Sequence, residues 1–249
     1  LSNFKFIVNE KYKNFQEFVL NIKNHFKANQ NIIHKARNEI KVINHKNIDL
    51  VVKSFKIPNI LNRFIYTFIC DTKAKKSYEY SLKIGDVTPK AIGYIEFYEN
   101  FLLKNSYFIS ENFNYDFTIR EVLLEENFPQ KEQILKTFAL FTYSLHEKDI
   151  YHLDYSPGNI LIKKKNDGFT FKIVDINRMK FLFLNTSLRM KNFSKLWAKD
   201  EDLKTIIKEY AKIANQDEKE LSLKALYFSK QHKRKINFKK RLKGKKVVD

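Results

Sequence analysis

The chain carries a single cysteine, Cys70, among 249 residues, so it can form no internal disulfide and supply no multi-cysteine zinc site. Cys70 closes the apolar run Phe64 to Cys70 and reads as a small buried hydrophobe rather than a reactive thiol. Long apolar runs are missing too. Stretches such as Leu102-Leu103 or Phe138 to Phe141 are short and interrupted, well below the length of about 20 residues that a spanning helix requires, so no membrane span is expected. The opening residues Leu1-Ser2-Asn3-Phe4-Lys5 lack the charged-then-apolar layout of a secretory signal, and a cytoplasmic location is expected. With five glycines and four prolines, the chain has no Pro/Gly/Ser-rich linker to part independent domains, and it has no internal repeat.

What is present is a globular composition, 43% hydrophobic and 15% aromatic, which excludes a disordered or low-complexity protein. The net charge of +19 favours an anionic partner: nucleic acid, an acidic membrane surface or a phosphorylated substrate. Lysines are nevertheless spread along the whole chain, and spread lysines ordinarily make a solvated surface. Charge is concentrated only at the end, in Lys230-Gln231-His232-Lys233-Arg234-Lys235 and Lys239-Lys240-Arg241-Leu242-Lys243-Gly244-Lys245-Lys246.

Hydrophobic spacing places the elements. Phe15, Phe18, Val19, Ile22 and Phe26 predict a short amphipathic helix ahead of the first sheet. Ile40, Val42 and Ile43, then Ile48, Leu50, Val51 and Val52, predict an antiparallel hairpin turning at His45-Lys46-Asn47. A helix over Lys73 to Ile84 ends at Gly85, with Pro89 beyond it, and two strands follow, about Ala91 to Glu99 and Phe101 to Ser110. Ile134, Leu135, Phe138, Phe141, Thr142 and Leu145 trace one face of a long helix over Lys131 to Lys148. It leads to Tyr151-His152-Leu153-Asp154, a strand Ile160 to Ile162, a polar turn Lys165 to Gly168 and a strand Phe169 to Val174. Beyond Asp175 the pattern is helical, over Phe193 to Trp197, Asp202 to Ala214 and Lys219 to His232.

The residues suited to chemistry gather around the loop His152-Leu153-Asp154-Tyr155-Ser156-Pro157-Gly158-Asn159. Asn159 lies five positions after Asp154, and the following hairpin delivers Asp175. Upstream, Val51-Val52-Lys53-Ser54-Phe55 has a lysine closing a β-branched run, and Glu79 lies on the next helix. Singly, each has an ordinary reading: Asp154 and Asn159 as turn residues around Pro157-Gly158, Asp175 as a strand terminator, His152 as a packed ring, Glu79 as a solvated helix charge. Jointly, in the order lysine, helix glutamate, loop, hairpin and carboxylate, they meet the needs of phosphoryl transfer. That chemistry requires clamped phosphates, held metal ions and an acceptor hydroxyl beside a carboxylate.

This arrangement resembles the protein-kinase superfamily over most of the chain. More narrowly, Ala36-Arg37-Asn38-Glu39-Ile40-Lys41, Val52-Lys53-Ser54-Phe55-Lys56, Lys73-Ala74-Lys75-Lys76-Ser77-Tyr78-Glu79-Tyr80, Thr88-Pro89-Lys90-Ala91-Ile92-Gly93-Tyr94 and Asp175-Ile176-Asn177-Arg178-Met179 are similar to the bacterial lipopolysaccharide kinase family. That family includes kinases acting on 3-deoxy-manno-octulosonic acid (Kdo) or heptose of the inner core. The resemblance runs from about Ile33 to Arg178. It implies an α+β, bilobal protein-kinase-like fold: an antiparallel-sheet N-lobe with an N-terminal helix over about 1–112, and a mainly helical C-lobe with a basic C-terminal tail over about 113–249. It further implies ATP and Mg²⁺, with Asp154 orienting or deprotonating the acceptor hydroxyl, Asn159 and Asp175 holding the metal, and Lys53 on the phosphates oriented by Glu79. The segment Ser110 to Phe113 would be the hinge, with Glu111 and Phe113 meeting adenine through backbone groups. Arg178 would contact acceptor or phosphate, or serve as a structural ion-pair residue.

The chain departs from the pattern in two places. No G-x-G-x-x-G precedes Lys53, only Arg37-Asn38-Glu39 at the first turn, so side chains such as Asn38 or Lys41 would substitute for close backbone approach to phosphate. The D-F-G position reads Asp175-Ile176-Asn177, keeping the carboxylate and losing the glycine. Ser156 stands where a serine/threonine protein kinase has Lys, and no Ala-Pro-Glu segment follows, which disfavours a protein acceptor. The expected partner is the lipopolysaccharide inner core or a Kdo-lipid A precursor. The expected location is the cytoplasmic face of the inner membrane, held through the basic tail, with no specific nucleic acid. The alternatives are a small-molecule or protein kinase of the same fold, or a catalytically weak nucleic-acid or membrane adaptor built on it.

Overall fold

In the computed structural model, which describes residues 3–35, 38–56 and 59–244, the first unit is built on a six-stranded antiparallel sheet. The chain divides by its internal contacts into two compact units, Leu1–Asn114 with Asp175–Asn177, and Tyr115–Val174 with Arg178–Asp249. In the first, β1 (Phe4–Val8) precedes a 3-10 turn (Glu10–Phe15) and the short helices α1 (Gln16–Leu20) and α2 (Ile22–Ala28). Then come β2 (Ile32–Lys35), β3 (Glu39–His45), β4 (Ile48–Phe55), α3 (Ile60–Phe68), α4 (Lys73–Ile84), β5 (Ala91–Glu99) and β6 (Leu102–Glu111). Spatial order in the sheet is β1-β5-β6-β4-β3-β2.

Alternation along β4 sorts its side chains between the two faces. Leu50 and Val52 are fully buried against Phe15, Phe18, Val19, Ile22 and Phe26 of the N-terminal helical segment. Each such side chain contributes about 1.5–3 kcal/mol by leaving water. The opposite face receives Phe55, packed with Ala74 and Tyr78 of α4 and with Ala91 and Tyr94 of β5. Lys53, two residues from Phe55, belongs to this second face. The β3–β4 turn is a two-residue connection with Lys46 and Asn47 both at positive φ, the backbone that the right-handed strand twist favours.

Several expectations are amended here. The N-terminal helix is broken at Asn21 into α1 and α2, and it follows a strand: β1 pairs antiparallel with β5, approaching so closely that a Cβ at Gly93 would meet the Ile7 carbonyl at 2.5 Å. A helix, α3, lies between the hairpin and α4. Cys70, just beyond α3, is exposed and not buried, because α3 turns its apolar side outward.

The second unit is mainly helical. β7 (Phe117–Thr118) and α5 (Ile119–Leu124) lead to α6 (Lys131–Glu147), β8 (Ile150–His152), the hairpin β9 (Ile160–Lys165) and β10 (Gly168–Ile173), β11 (Met179–Phe181), α7 (Thr186–Phe193), α8 (Asp200–Ala214) and α9 (Glu218–Arg241). α6 buries Ile134, Leu135, Phe138, Thr142 and Leu145; it packs on α8, whose Leu203, Ile206, Ile207 and Tyr210 recur at helical spacing, while Phe138 and Thr142 meet Tyr155. α5 begins with a capping box, Thr118 and Glu121 bonding each other's ends. α9 continues past His232 to Arg241, so much of the basic tail is helix. Three of its lysines tie to the segment 197–200: Lys233 Nζ donates to the Ala198 carbonyl at 2.8 Å, Lys230 lies 3.6 Å from Asp200, and Lys240 sits over the Trp197 ring. Lys245 and Lys246 lie outside the described residues. No helix among the described residues is long and apolar enough to cross a membrane.

Candidate active site

In the first unit, β4 presents Lys53 to Asp175, 122 residues away in sequence, at 2.5 Å. The lysine side chain is largely buried and the carboxylate partly so. Asp175 has φ of +57°, a left-handed backbone that Asp tolerates better than most side chains. Asn177, two residues on, donates from Nδ2 to the same Asp175 oxygen at 2.7 Å, while Ile176 is buried. Lys53, Asp175 and Asn177 therefore form one local cluster.

Glu79 does not join it. The expected Lys53–Glu79 pair is absent: Glu79 lies 3.7 Å from Lys75, which also holds Asp71 at 2.7 Å. The reason is helical register. α4 buries Ala74, Ser77, Tyr78 and Ser81, and Glu79, about 100° around the helix from Tyr78, points to solvent. Asn38 accepts a long hydrogen bond, 3.4 Å, from the Lys56 amide and so stitches the open end of the β3–β4 hairpin; Arg37 lies outside the described residues. Lys41 is buried, its Nζ donating to the Phe26 and Asn29 carbonyls, which is a structural task. At the segment expected to be the hinge, the Glu111 carboxylate accepts from the Tyr12 hydroxyl, whose pKa is raised by burial and by that bond. The Glu111 amide donates to the Lys90 carbonyl and the Asn112 amide to the Asp49 carbonyl. Phe113 follows, half-buried, in irregular chain.

In the second unit the loop 152–159 is held from below. His152, almost wholly buried, accepts the Asp154 amide on Nδ1 at 3.0 Å and reaches the Val174 carbonyl with Nε2 at 3.1 Å. These bonds select the Nε2–H tautomer and brace the loop against the end of β10, one residue before Asp175. Asn159 donates from Nδ2 to the Asp154 carbonyl at 2.9 Å, and the Val174 amide donates to the Asn159 carbonyl. Tyr155 is fully buried, stacked near Phe138 and sharing a hydrogen bond with Thr142. With its neighbour anchored, Asp154 is turned outward. Arg178 lies 3.7 Å from its carboxylate, both groups solvated.

Asp154 stands in a basic field. Lys195 has its pKa lowered by burial, partly opposed by Asp154, with Arg178, Lys235 and Lys191 lowering it further. His232 is shifted down by burial and by Lys195 and Lys235. Sequence reasoning missed Lys195, Asn177 and Asn192, the last of which donates to the His152 carbonyl at 2.9 Å. A lone lysine in a lysine-rich chain carries no signal, whereas Asn177 lies next to a recognised residue and was within reach.

Each unit carries an oxygen donor suited to a hard cation. Asp175 offers a carboxylate, and Asn159, with its Nδ2 committed to the loop, presents an amide oxygen; hard oxygen ligands of this kind are what Mg²⁺ takes. Among the described residues no group of three or more His, Cys, Asp or Glu side chains could hold a metal.

Sheet order, a lysine on its third consecutive strand from β2, a helix before β5 and a carboxylate loop after a long helix define a protein-kinase-like fold. Among solved structures, one described as WaaP in complex with acyl carrier protein aligns with a TM-score of 0.61 at 13% identity, covering 93% of this chain and 97% of that one. In all, 1200 chains of known structure match, so the architecture by itself points to no single acceptor. No family model and no curated protein matches the sequence.

Proposed function

We propose that the protein is an ATP-dependent kinase that phosphorylates a sugar hydroxyl, Kdo or heptose, of the lipopolysaccharide inner core. The observation that carries the catalytic reading is the Lys53–Asp175 ion pair at 2.5 Å, which joins the two residues assigned to phosphate and metal. ATP with Mg²⁺ supplies, when bound, the phosphoryl group and the neutralisation of its charge. Lys53 contributes a fixed ammonium toward the phosphates, Asp175 and Asn159 contribute oxygens for the metal, and Glu111 and Phe113 belong to the segment assigned to adenine. Asp154 accepts the proton of the attacking hydroxyl, and Arg178 beside it steers the acceptor.

A sugar acceptor is supported by Ser156 in place of a lysine and by the family resemblance. An anionic one is supported by Arg178 and Lys195 near Asp154, with Lys191 and Lys235 near Lys195. In this reading 1–112 and 113–249 act as the N- and C-lobes of one domain. Its location would be the cytoplasmic face of the inner membrane.

Mg²⁺-dependent ATP turnover should fall at least about a hundredfold in Asp154→Ala and in Asp175→Ala while the circular dichroism spectrum is kept. Unchanged turnover in either variant would reject the assigned site. Incubation with ATP and Kdo-bearing lipid A precursors, read by mass spectrometry, should add one phosphate to the sugar. Transfer to protein or to a small alcohol instead would overturn the acceptor and leave the kinase.

A further inference from the structure

α3 is inside out. Its polar residues face the protein: Arg63 Nε donates to the Leu103 carbonyl at 2.7 Å, and the Leu103 amide donates to Thr67 Oγ1 at 3.0 Å. These contacts replace strand pairing, because β4 ends at Phe55 opposite Ser106, leaving the Leu103 backbone beyond its reach. The other side of α3 is apolar and open to solvent. Ile60, Leu61, Phe64 and Phe68 are 61%, 73%, 52% and 62% exposed, and Ile69 just past the helix is 68% exposed. No residue of the helix is buried. One exposed leucine needs no explanation, but a continuous stripe of large side chains at helical spacing marks a contact surface.

The surroundings decide what covers it. Lys56 and Lys73 line the cleft beneath the helix, with Lys76 one turn further along α4. A second copy of the chain would set a net charge of +19 against another +19. With Ile60, Leu61, Phe64 and Phe68 all more than half exposed, the stripe suits insertion into a fluid layer. An apolar helix side with cations at its margins is the pattern of a helix lying in the plane of an anionic lipid interface.

We propose that α3 docks the protein on an anionic bilayer, with Leu61, Phe64 and Phe68 inserted among the headgroups and the flanking lysines on the phosphates. The proposal is independent of the kinase reading, and it places the anchor on the first unit rather than on the basic C-terminal helix.

Cys70, exposed at the end of α3, is the sole cysteine and accepts an environment-sensitive fluorophore without other changes. With vesicles of phosphatidylethanolamine and phosphatidylglycerol, the labelled full chain should co-sediment and its emission should shift to the blue. With phosphatidylcholine alone both effects should be weaker. Phe64→Asp combined with Phe68→Asp should lower vesicle affinity at least about tenfold with unchanged circular dichroism, since both side chains are exposed. The proposal is overturned if the wild type does not bind, if the double variant binds equally, or if bound protein keeps a water-like emission, which would give the contact to the basic helix. A vesicle-free dimer dispersed by the same variant would overturn it in favour of a second copy.

Discussion

A lysine ammonium is a compact point charge, and at 2.5 Å Lys53 holds the Asp175 carboxylate against the second face of the sheet while Asn177 steadies it from the other side. Such a pair contributes little to stability when its acid retains access to water, about 1 kcal/mol or less. In the proposed reaction its contribution to transition-state charge would be far larger, because a preorganised cation is not reorganised during the reaction. Lys53→Met should therefore move the urea midpoint slightly and lower ATP turnover about a hundredfold or more. Lys53→Arg should not restore it, since a planar fork cannot reproduce a point contact. A large stability loss with turnover preserved would contradict this division. The lysine and the aspartate were legible in the sequence, one closing a β-branched run and the other ending a hairpin. Glu79 was misread for a physical reason: being on the right helix does not fix which side of it a residue occupies, and a shift of about 100° separates the buried side from solvent.

Among the elements, α4 and α6 follow from periodicity, because each has one clearly buried side, whereas β5 and the β9–β10 hairpin follow from short apolar runs bounded by turn residues. β1 escaped notice as a largely exposed edge strand, and β8 and β11 are three-residue strands too short to show a period. α3 was hidden because an apolar run is read as a buried one, and here the burial rule is inverted. The loop 152–159 was legible as a motif, but its support was not. A Cβ on Gly158 would stand 2.5 Å from the Arg120 guanidinium of α5, so the glycine makes room for a side chain from another element. Gly158→Ala should cost about 1 kcal/mol, as the obstructing atoms are the end of a flexible side chain, and should shift the loop enough to reduce turnover. In an Arg120→Ala background most of that cost should vanish. A double-mutant cycle in urea denaturation measures it, and simple additivity would show that the two residues do not compete for one space.

At the scale of the whole molecule, the helices of the second unit and the loop that carries Asp154 are joined by a buried polar chain. Tyr210 bonds His146 Nδ1 at 2.9 Å, His146 Nε2 bonds Asn192 Oδ1 at 3.1 Å, and Asn192 Nδ2 donates to the His152 carbonyl. A neutral imidazole satisfies every member of this chain: it accepts from the Tyr210 hydroxyl and donates to Asn192. Burial pushes the His146 pKa down to about 4. The Asn192 bond opposes this, Arg189 adds to it, and Glu147 opposes it weakly. In the unfolded chain the same imidazole titrates near 6.5. Between about pH 6.5 and about pH 4 the unfolded state binds the extra proton, so stability is complete above that window and is lost as the pH falls through it, by roughly 3 kcal/mol in all. His146→Gln keeps one hydrogen bond and has nothing to titrate. Between about pH 7 and about pH 4.5, the wild type should lose roughly 2 kcal/mol more than this variant by urea denaturation. Because Asn192 is shared, acid should also loosen the loop, and ATP turnover in the wild type should fall over the same pH range. Parallel stability curves for the two proteins would mean that the imidazole is not held neutral in the fold, and the loop's support would have to lie elsewhere.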